Sequence, residues 1–288
     1  MFAASFLSGD GLEIGPLHMP LEIPPDVRVR YVDRMSVGEL RHEYPELASL
    51  ELTPVDIVDD GETLSTIRDA SQDFIVANHF LEHCEDPIGT IAVHLRKLKP
   101  GGVLFYAVPD KRYTFDFRRP PTPIDHMVSD HELGPERSRR DHYEEWTRLV
   151  AEGESELSAP EETLSDELLT RKAVELESSG YSIHMHVWTQ AEFLRLILHC
   201  RERFNGAFDI EAAARQSLEF VVVLRKQSPQ PDPSADDSGS GSFGQFHPQT
   251  LLAEIERLRV RLGDLENSAS WRLTRPLRAA KRALRKRS

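Results

Sequence analysis

The chain has 288 residues, 29% of them charged and 39% hydrophobic, with a net charge of −13 and only two cysteines. That length suits one large α/β domain with appendages. Cys84 and Cys200, far apart in sequence, do not suggest a disulfide framework, and no apolar run approaches a membrane span. The charge is uneven: residues 249–288 hold eleven Lys/Arg against four Asp/Glu, so the rest of the chain carries −20. An acidic body argues against a nucleic-acid surface and gives the tail a separate job. The opening MFAASFL has no basic region and too short an apolar run for a secretory signal, so the expected location is cytoplasmic.

In chain order, a short apolar strand ends at Glu13-Ile14-Gly15 and is followed by a loop with Pro16 and Pro20. A second strand over 27–32 ends in Asp33. Ser36 and Glu39 form a capping box for a short helix that ends near Tyr44-Pro45. Residues 55–58 predict a third strand, followed by Asp59, Asp60 and Gly61. The apolar run 74–77 predicts a strand covered on both faces. Asp86 then offers an N-cap, Pro87 the first helical position, and Ile88, Ile91, Ala92, Leu95 and Leu98 an apolar stripe at helical spacing. Lys97 and Lys99 are placed to complement the helix C-terminus, Pro100-Gly101-Gly102 to stop it, and 103–108 is the next strand. This is a βαβ unit.

Four successive strands thus end in Glu13, Asp33, Asp59/Asp60 and Asn78/His79. In a parallel sheet those ends share one edge, where open α/β folds bind ligands. The chain lacks G-x-G-x-x-G and a Lys-bearing P-loop, which disfavours a dinucleotide and a dehydrogenase. An acid-lined edge suits a ligand with hydroxyls, an adenine amino group and a cation. S-adenosylmethionine has all three and no phosphate.

Glu13-Ile-Gly15, Tyr31-Val-Asp33, the run from 73 to 87 and Lys99-Pro-Gly-Gly102 together resemble a class I S-adenosylmethionine-dependent methyltransferase of the small-molecule type, over roughly 10–115 and more weakly 187–226. The departure is Gly15-Pro16-Leu17-His18, where the family carries a run of glycines. The resemblance implies an α/β, Rossmann-like fold with a seven-stranded, mostly parallel sheet and helices on both faces. It implies a cofactor site of Glu13 and Gly15 at the methionine end, Asp33 on the ribose, Asp60 and Gly61 near the adenine, and Asn78 and His79 at the sulfonium. Each of these side chains has a second reading as a loop polar group that caps a helix. Glu82 and His83 admit two roles. A hydroxyl nucleophile gains from a base such as histidine, and His79 and His83 are the candidates; alternatively Glu82 and His83 only brace the turn.

After the fifth strand comes Pro109-Asp110-Lys111-Arg112-Tyr113-Thr114-Phe115-Asp116, a run that resembles a subgroup of bacterial methyltransferases. Asp110, Lys111 and Arg112 are expected at the acceptor, Asp110 as a catalytic candidate and the cations suiting an anionic substrate; a solvated loop or salt bridge is the other reading. Residues 117–186 form an insertion expected to be a lid and acceptor pocket. His126, Asp130, His131, Asp141, His142 and Glu145 cluster in it; such a set could hold a divalent metal, but no tight ligand spacing appears and no metal site is assigned. Leu164, Leu168 and Val174 predict the packed face of an acidic helix over 161–177, and His184 and His186 lie two apart on an extended segment. Thr189 and Glu192 form a capping box for a helix, and 207–212 and 218–224 predict a final antiparallel pair.

The domain closes at 226, a linker spans 227–248, and 249–288 forms a C-terminal helical tail. Leu251, Leu252, Ile255, Leu258, Leu262 and Leu265 suggest a short coiled coil for self- or hetero-association. Residues 270–287 hold eight Lys/Arg and no acid, with Trp271, Leu273, Leu277 and Leu284 as apolar anchors, as in a helix that lies on a membrane surface. The S-W-R-L-T-x-P-L-R segment resembles tails of bacterial glycan-building enzymes. The expected activity is O-methylation of a sugar or other small-molecule or glycan precursor; a non-catalytic scaffold docking a glycan-assembly complex is the alternative.

Overall fold

The computed structural model describes residues 5–47, 49–151 and 165–228. The linker from 229, the coiled-coil and basic tail, and the start of the acidic helix including Leu164 lie outside the described residues. Seven strands form one sheet in the order β3-β2-β1-β4-β5-β7-β6. The first five, β1 (Asp10–Ile14), β2 (Arg28–Asp33), β3 (Ile57–Val58), β4 (Gln72–Asn78) and β5 (Leu98–Pro109), are parallel. The last two, β6 (Phe208–Gln216) and β7 (Glu219–Lys226), are antiparallel to each other, and β7 is antiparallel to β5. This is the expected Rossmann-like, mostly parallel sheet.

Alternation along β4 sorts the core. Ile75 and Ala77 join Leu12, Leu104 and Tyr106 on one face. Helix α2 (Pro87–Lys97) covers it with Ile88, Ile91 and Leu95, and helix α6 (Gln190–Arg203) with Phe193, Leu196 and Ile197. Each of the Ile, Leu and Phe side chains on these helices contributes about 1.5–3 kcal/mol by leaving water. Phe74 and Val76 face the other way, against Leu7, Val27, Val103 and Phe105. Extended chain supplies the apolar cover there, with Leu21 and Ile23 packed alongside. The β1–β2 connection carries Pro16, Pro20, Pro24 and Pro25, which deny it a helix.

Helix starts follow the sequence closely. Ser36 and Glu39 cap α1 (Val37–Glu43) reciprocally, and Asp86 accepts the Gly89 N–H at 2.8 Å at the head of α2. The end of α2 differs. Leu98 turns extended and pairs with Gln72, so the strand captures the chain before Pro100-Gly101-Gly102, which instead sits within β5. Lys97 turns inward, donating to Ile67 O at 2.7 Å and Asp69 at 2.8 Å, and Lys99 pairs with Asp73 at 2.8 Å. Lys97 still stands in the last turn of α2, whereas Lys99 lies in β5. Strand β3 is also shorter than expected, because Asp56 is spent bridging to β2 through both its backbone N–H and its carboxylate.

The insertion folds as α3 (Ile124–Leu133), α4 (Arg139–Trp146) and α5 (Asp166–Ser179), with a small core of Tyr143, Ala173, Leu176, Ile183 and Met185. The buried face of α5 is Leu169, Ala173 and Leu176, not Leu168 and Val174. The correction is a rotation by about one residue, and Val174 is left 40% exposed. Among the described residues no helix is long and apolar enough to cross a membrane.

One buried cation closes the insertion. The Arg119 guanidinium is 1% exposed and donates to Asp116 (3.0 Å), Glu145 (2.7 Å), His184 O (2.7 Å) and Met185 O (3.1 Å). Removing it leaves the buried Asp116 without its cation and two carbonyls without their donor. Arg119→Ala is expected to cost about 3–5 kcal/mol, read as a lowered midpoint in urea unfolding followed by circular dichroism.

Candidate active site

The C-terminal ends of the parallel strands frame two joined cavities. One, of about 550 Å³, is lined by Gly15, Asp33, Asp60, Gly61, Glu62, His79 and His83. The other, of about 840 Å³, is lined by Glu13, His18, Asn78, His79, His83, His184 and Glu219. Gly15, Leu17, His18, His79 and His83 border both. Both are of the size that holds a small ligand.

The smaller cavity fits an adenosine-bearing cofactor. Gly15 stands at φ 62 after β1, with its N–H on Val32 O at 2.9 Å, a left-handed turn that glycine adopts without strain. Asp33 is buried at the end of β2; burial pushes its carboxyl up, while the N–H groups of Arg34 and Met35 pull it back. A carboxylate so placed can accept from two ribose hydroxyls. Arg34, which also lines this cavity, is held by Glu43 at 2.9 Å.

Asp60 uses Oδ1 to accept the N–H groups of Glu62 (2.8 Å) and Thr63 (3.0 Å), which fixes the turn at Gly61. A Cβ at Gly61 would meet Ile14 Cγ2 and Phe80 Cζ at 2.6 Å, so only glycine passes there. Behind it, His94 Nε2 lies 2.8 Å from Gly61 O and Nδ1 lies 2.9 Å from the Tyr106 hydroxyl. Burial pulls His94 down to about 4, so the ring is neutral, and this network assigns the proton to Nε2.

Glu13 borders the larger cavity. Both carboxylate oxygens face the Leu21 N–H, at 2.9 and 3.1 Å, and burial pushes it up to about 7 against the pull of that bond. Glu62, which sequence reasoning passed over, is likewise pushed up to about 7 by burial, with the charges of Asp60 and Glu85 adding to it. His18 was noted only as a break in a glycine run; its Nδ1 is buried without a partner at the shared wall. The loop is a tight turn, Met19 N–H to Pro16 O at 2.8 Å.

The turn after β4 gives its two histidines opposite environments. His79, at φ 50, has Nε2 2.6 Å from Glu219 and Nδ1 3.6 Å from Glu82. The Glu219 bond, against opposing burial, raises its pKa, and Glu82 adds to the rise. His83 places Nδ1 2.9 Å from Ile183 O; burial, with His184 beside it, pulls it down to about 3. Glu82 is 1% exposed, both its oxygens lack hydrogen-bond partners, and burial pushes it up. Asn78 Oδ1 is also buried without a partner. His184 joins this wall with Nδ1 2.6 Å from Asp116.

Asp110 requires a correction. It is fully buried and accepts from Arg112 N, Nε and NH2, the last at 2.6 Å, so it pins its own turn and lines neither cavity. Lys111 is buried with Nζ on Phe117 O at 2.9 Å, and Arg112 lies over the Tyr113 ring. These groups are spent internally. In the insertion, His131 pairs with Asp86 at 2.8 Å and Glu145 with Arg119, while Asp141 is exposed. Glu219, on a strand whose ligand-edge end no motif marked, is the main residue that sequence reasoning missed.

Residues 33–196 match the family described as Methyltransferase domain, more than half of the chain. The chain belongs to that family. It is an S-adenosylmethionine-dependent methyltransferase. Solved structures similar to it include an S-adenosylmethionine-dependent methyltransferase from Methanosarcina mazei, with 17% identity, 78% of this chain and 97% of that one covered, and a TM-score of 0.40. One from Aquifex aeolicus has 10% identity, 77% and 84% coverage and a TM-score of 0.38. The CurJ carbon methyltransferase has 11% identity and a TM-score of 0.39 over 78% of this chain, which spans half of that one. No curated protein matches the chain.

Two outcomes are expected. Asp33→Ala removes the acceptor for two hydroxyls and should weaken S-adenosylmethionine binding about 10- to 100-fold by calorimetry; unchanged affinity would remove Asp33 from the site. Glu13 binds its proton more tightly folded than unfolded, so its stabilising contribution is present below about 4.5 and is lost as pH rises through about 7. In the cofactor-free protein, Glu13→Gln should therefore raise stability at pH 8 relative to pH 5, by up to about 3 kcal/mol, measured by urea unfolding at the two pH values.

Proposed function

We propose that the enzyme O-methylates a neutral, hydroxyl-rich acceptor, such as a sugar or glycan precursor, with His79 as the proton acceptor. The observation that carries this is His79 at the wall shared by both cavities, with Glu219 2.6 Å from Nε2. S-adenosylmethionine supplies an electrophilic methyl group on a sulfonium. Glu219 fixes the Nε2–H tautomer, which leaves Nδ1 as the lone pair, and at 3.6 Å Glu82 is too far to take it. An acceptor hydroxyl placed at Nδ1 would give its proton to that atom while its oxygen takes the methyl, the S–CH₃ bond breaking to release neutral S-adenosylhomocysteine. The resulting imidazolium is flanked by two carboxylates, the same cause that raises its pKa. His83, pulled down to about 3, is an uncharged ring near neutral pH and donates its Nδ1–H to Ile183 O.

The larger cavity supports a neutral acceptor: Glu13, Glu22, Glu219 and Asn78 line it with four histidines and no lysine or arginine. That departs from the anionic substrate suggested by Lys111 and Arg112. The resemblance of the tail to those of glycan-building enzymes, with its basic amphipathic pattern at 270–287, supports a setting at an anionic membrane surface.

Glu219→Gln should lower kcat about 10²- to 10⁴-fold with little change in cofactor affinity. Loss of the carboxylate also lowers the His79 pKa, so the acidic limb of kcat/KM should move to lower pH. An unshifted limb in a methyl-transfer assay over a panel of sugars would remove His79 from the role of base.

A further inference from the structure

The insertion holds a second cluster that methyl transfer does not use. His126 and Asp130 lie one turn apart on α3, His142 is on α4, and His186 is on the segment that returns to the sheet. Their ligand-type atoms all lie within 4.8 Å of one another, and all but His126 are buried. His126 Nε2 is 3.0 Å from His142 Nε2 and 3.1 Å from Asp130 Oδ2, which is itself 3.9 Å from His142 Nε2. One N–H on His126 cannot serve both neighbours. Asp130 Oδ2 and His186 Nδ1 are buried without a hydrogen-bond partner.

We propose that His126, Asp130, His142 and His186 bind one divalent transition-metal ion, Zn²⁺ by donor type, which locks the insertion onto the turn that carries His79 and His83. Three imidazoles and one carboxylate are a borderline-soft donor set that suits tetrahedral Zn²⁺. At Zn–N of about 2.0 Å, tetrahedral ligands stand about 3.3 Å apart, close to the 3.0 and 3.1 Å that His126 Nε2 keeps to His142 and Asp130. The outer contacts are in place. Asp130 Oδ1 accepts from Ser138 Oγ at 2.6 Å, which leaves Oδ2 for the ion. His186 Nε2 lies 3.4 Å from Glu85 O, which leaves Nδ1. Burial keeps His142 and His186 neutral, the ligating form. The nearby Arg119 charge is met by Asp116 and Glu145.

The site joins α3 and α4 to the return segment. Through His186 it reaches the active-site turn, since the His186 N–H donates to Glu82 O at 3.1 Å. The ion is therefore structural: four protein ligands close its coordination, and no open position faces the cavities. This inference does not depend on the identity of the methyl acceptor or on His79 as base. The sequence reading assigned no metal because two of the ligands are recruited from separate segments, and only the fold brings them to the His126/Asp130 pair.

The test uses the full chain, stripped with chelator and titrated with ZnCl₂, and separately with CoCl₂ for its visible spectrum. The expected result is one equivalent of Zn²⁺ by elemental analysis, a tetrahedral Co²⁺ band, and a rise in thermal midpoint on loading. Asp130→Asn and, as a second variant, His142→Gln should lower Zn²⁺ affinity at least tenfold, whereas His42→Gln on α1 should not. Circular dichroism and S-adenosylmethionine binding report folding independently. A folded chain that takes up neither metal overturns the proposal, as does uptake undiminished in both ligand variants.

Discussion

The site depends on a buried guanidinium. Arg119 gathers Asp116, Glu145 and the carbonyls of His184 and Met185 around one planar group, and so ties three separate parts of the insertion together. A buried cation is tolerated only when its donors are matched. Here the matching sets the path of residues 183–188, which deliver His184 to the larger cavity and His186 to the histidine cluster. Asp116 serves twice, holding Arg119 and His184, and these two contacts outweigh its burial and keep its carboxyl below the usual range. This wall of the larger cavity is thus held by ionic and hydrogen-bonded contacts where the sheet has an apolar core.

The site is built from acids and imidazoles in unequal surroundings. Asp59, though buried, is held low by Thr66 and Ser65; Glu13 and Glu62, with weaker compensation, are pushed up to about 7. Cavities lined this way favour hydroxyls and a cationic sulfonium over phosphate. This agrees with a fold that has no glycine-rich phosphate cradle, and with the cofactor of the family.

What the sequence made legible was local. The capping pairs Ser36/Glu39 and Asp86/Pro87 marked helix starts because a cap is a contact within four residues. Strand ends marked by Asp33 and Asn78 were legible because parallel pairing places them on one edge. The errors came where distant partners compete. Gln72 captured Leu98 into the sheet and overrode the Pro-Gly-Gly stop, and packing against Tyr143 and Ile183 chose the face of α5. Asp110 looked catalytic because it follows a strand, yet Arg112, two residues on, consumes it. Glu219 was invisible because nothing local to β7 says that its end meets His79.

The two histidines of one short turn show the same limit in its sharpest form. In sequence, His79 and His83 differ only in position along Asn78-His-Phe-Leu-Glu-His83. In the fold, one ring reaches a carboxylate from β7 and gains proton affinity, while the other packs against His184 with its Nδ1 on Ile183 O and loses it. The left-handed backbone at His79 makes that split, because it turns the ring out of the strand direction towards Glu219. Leu81, the residue between them that is wholly buried, anchors the rest of the turn to the core. Proton affinity is therefore assigned by the walls that close on the turn, and the motif contributes only the pair of rings.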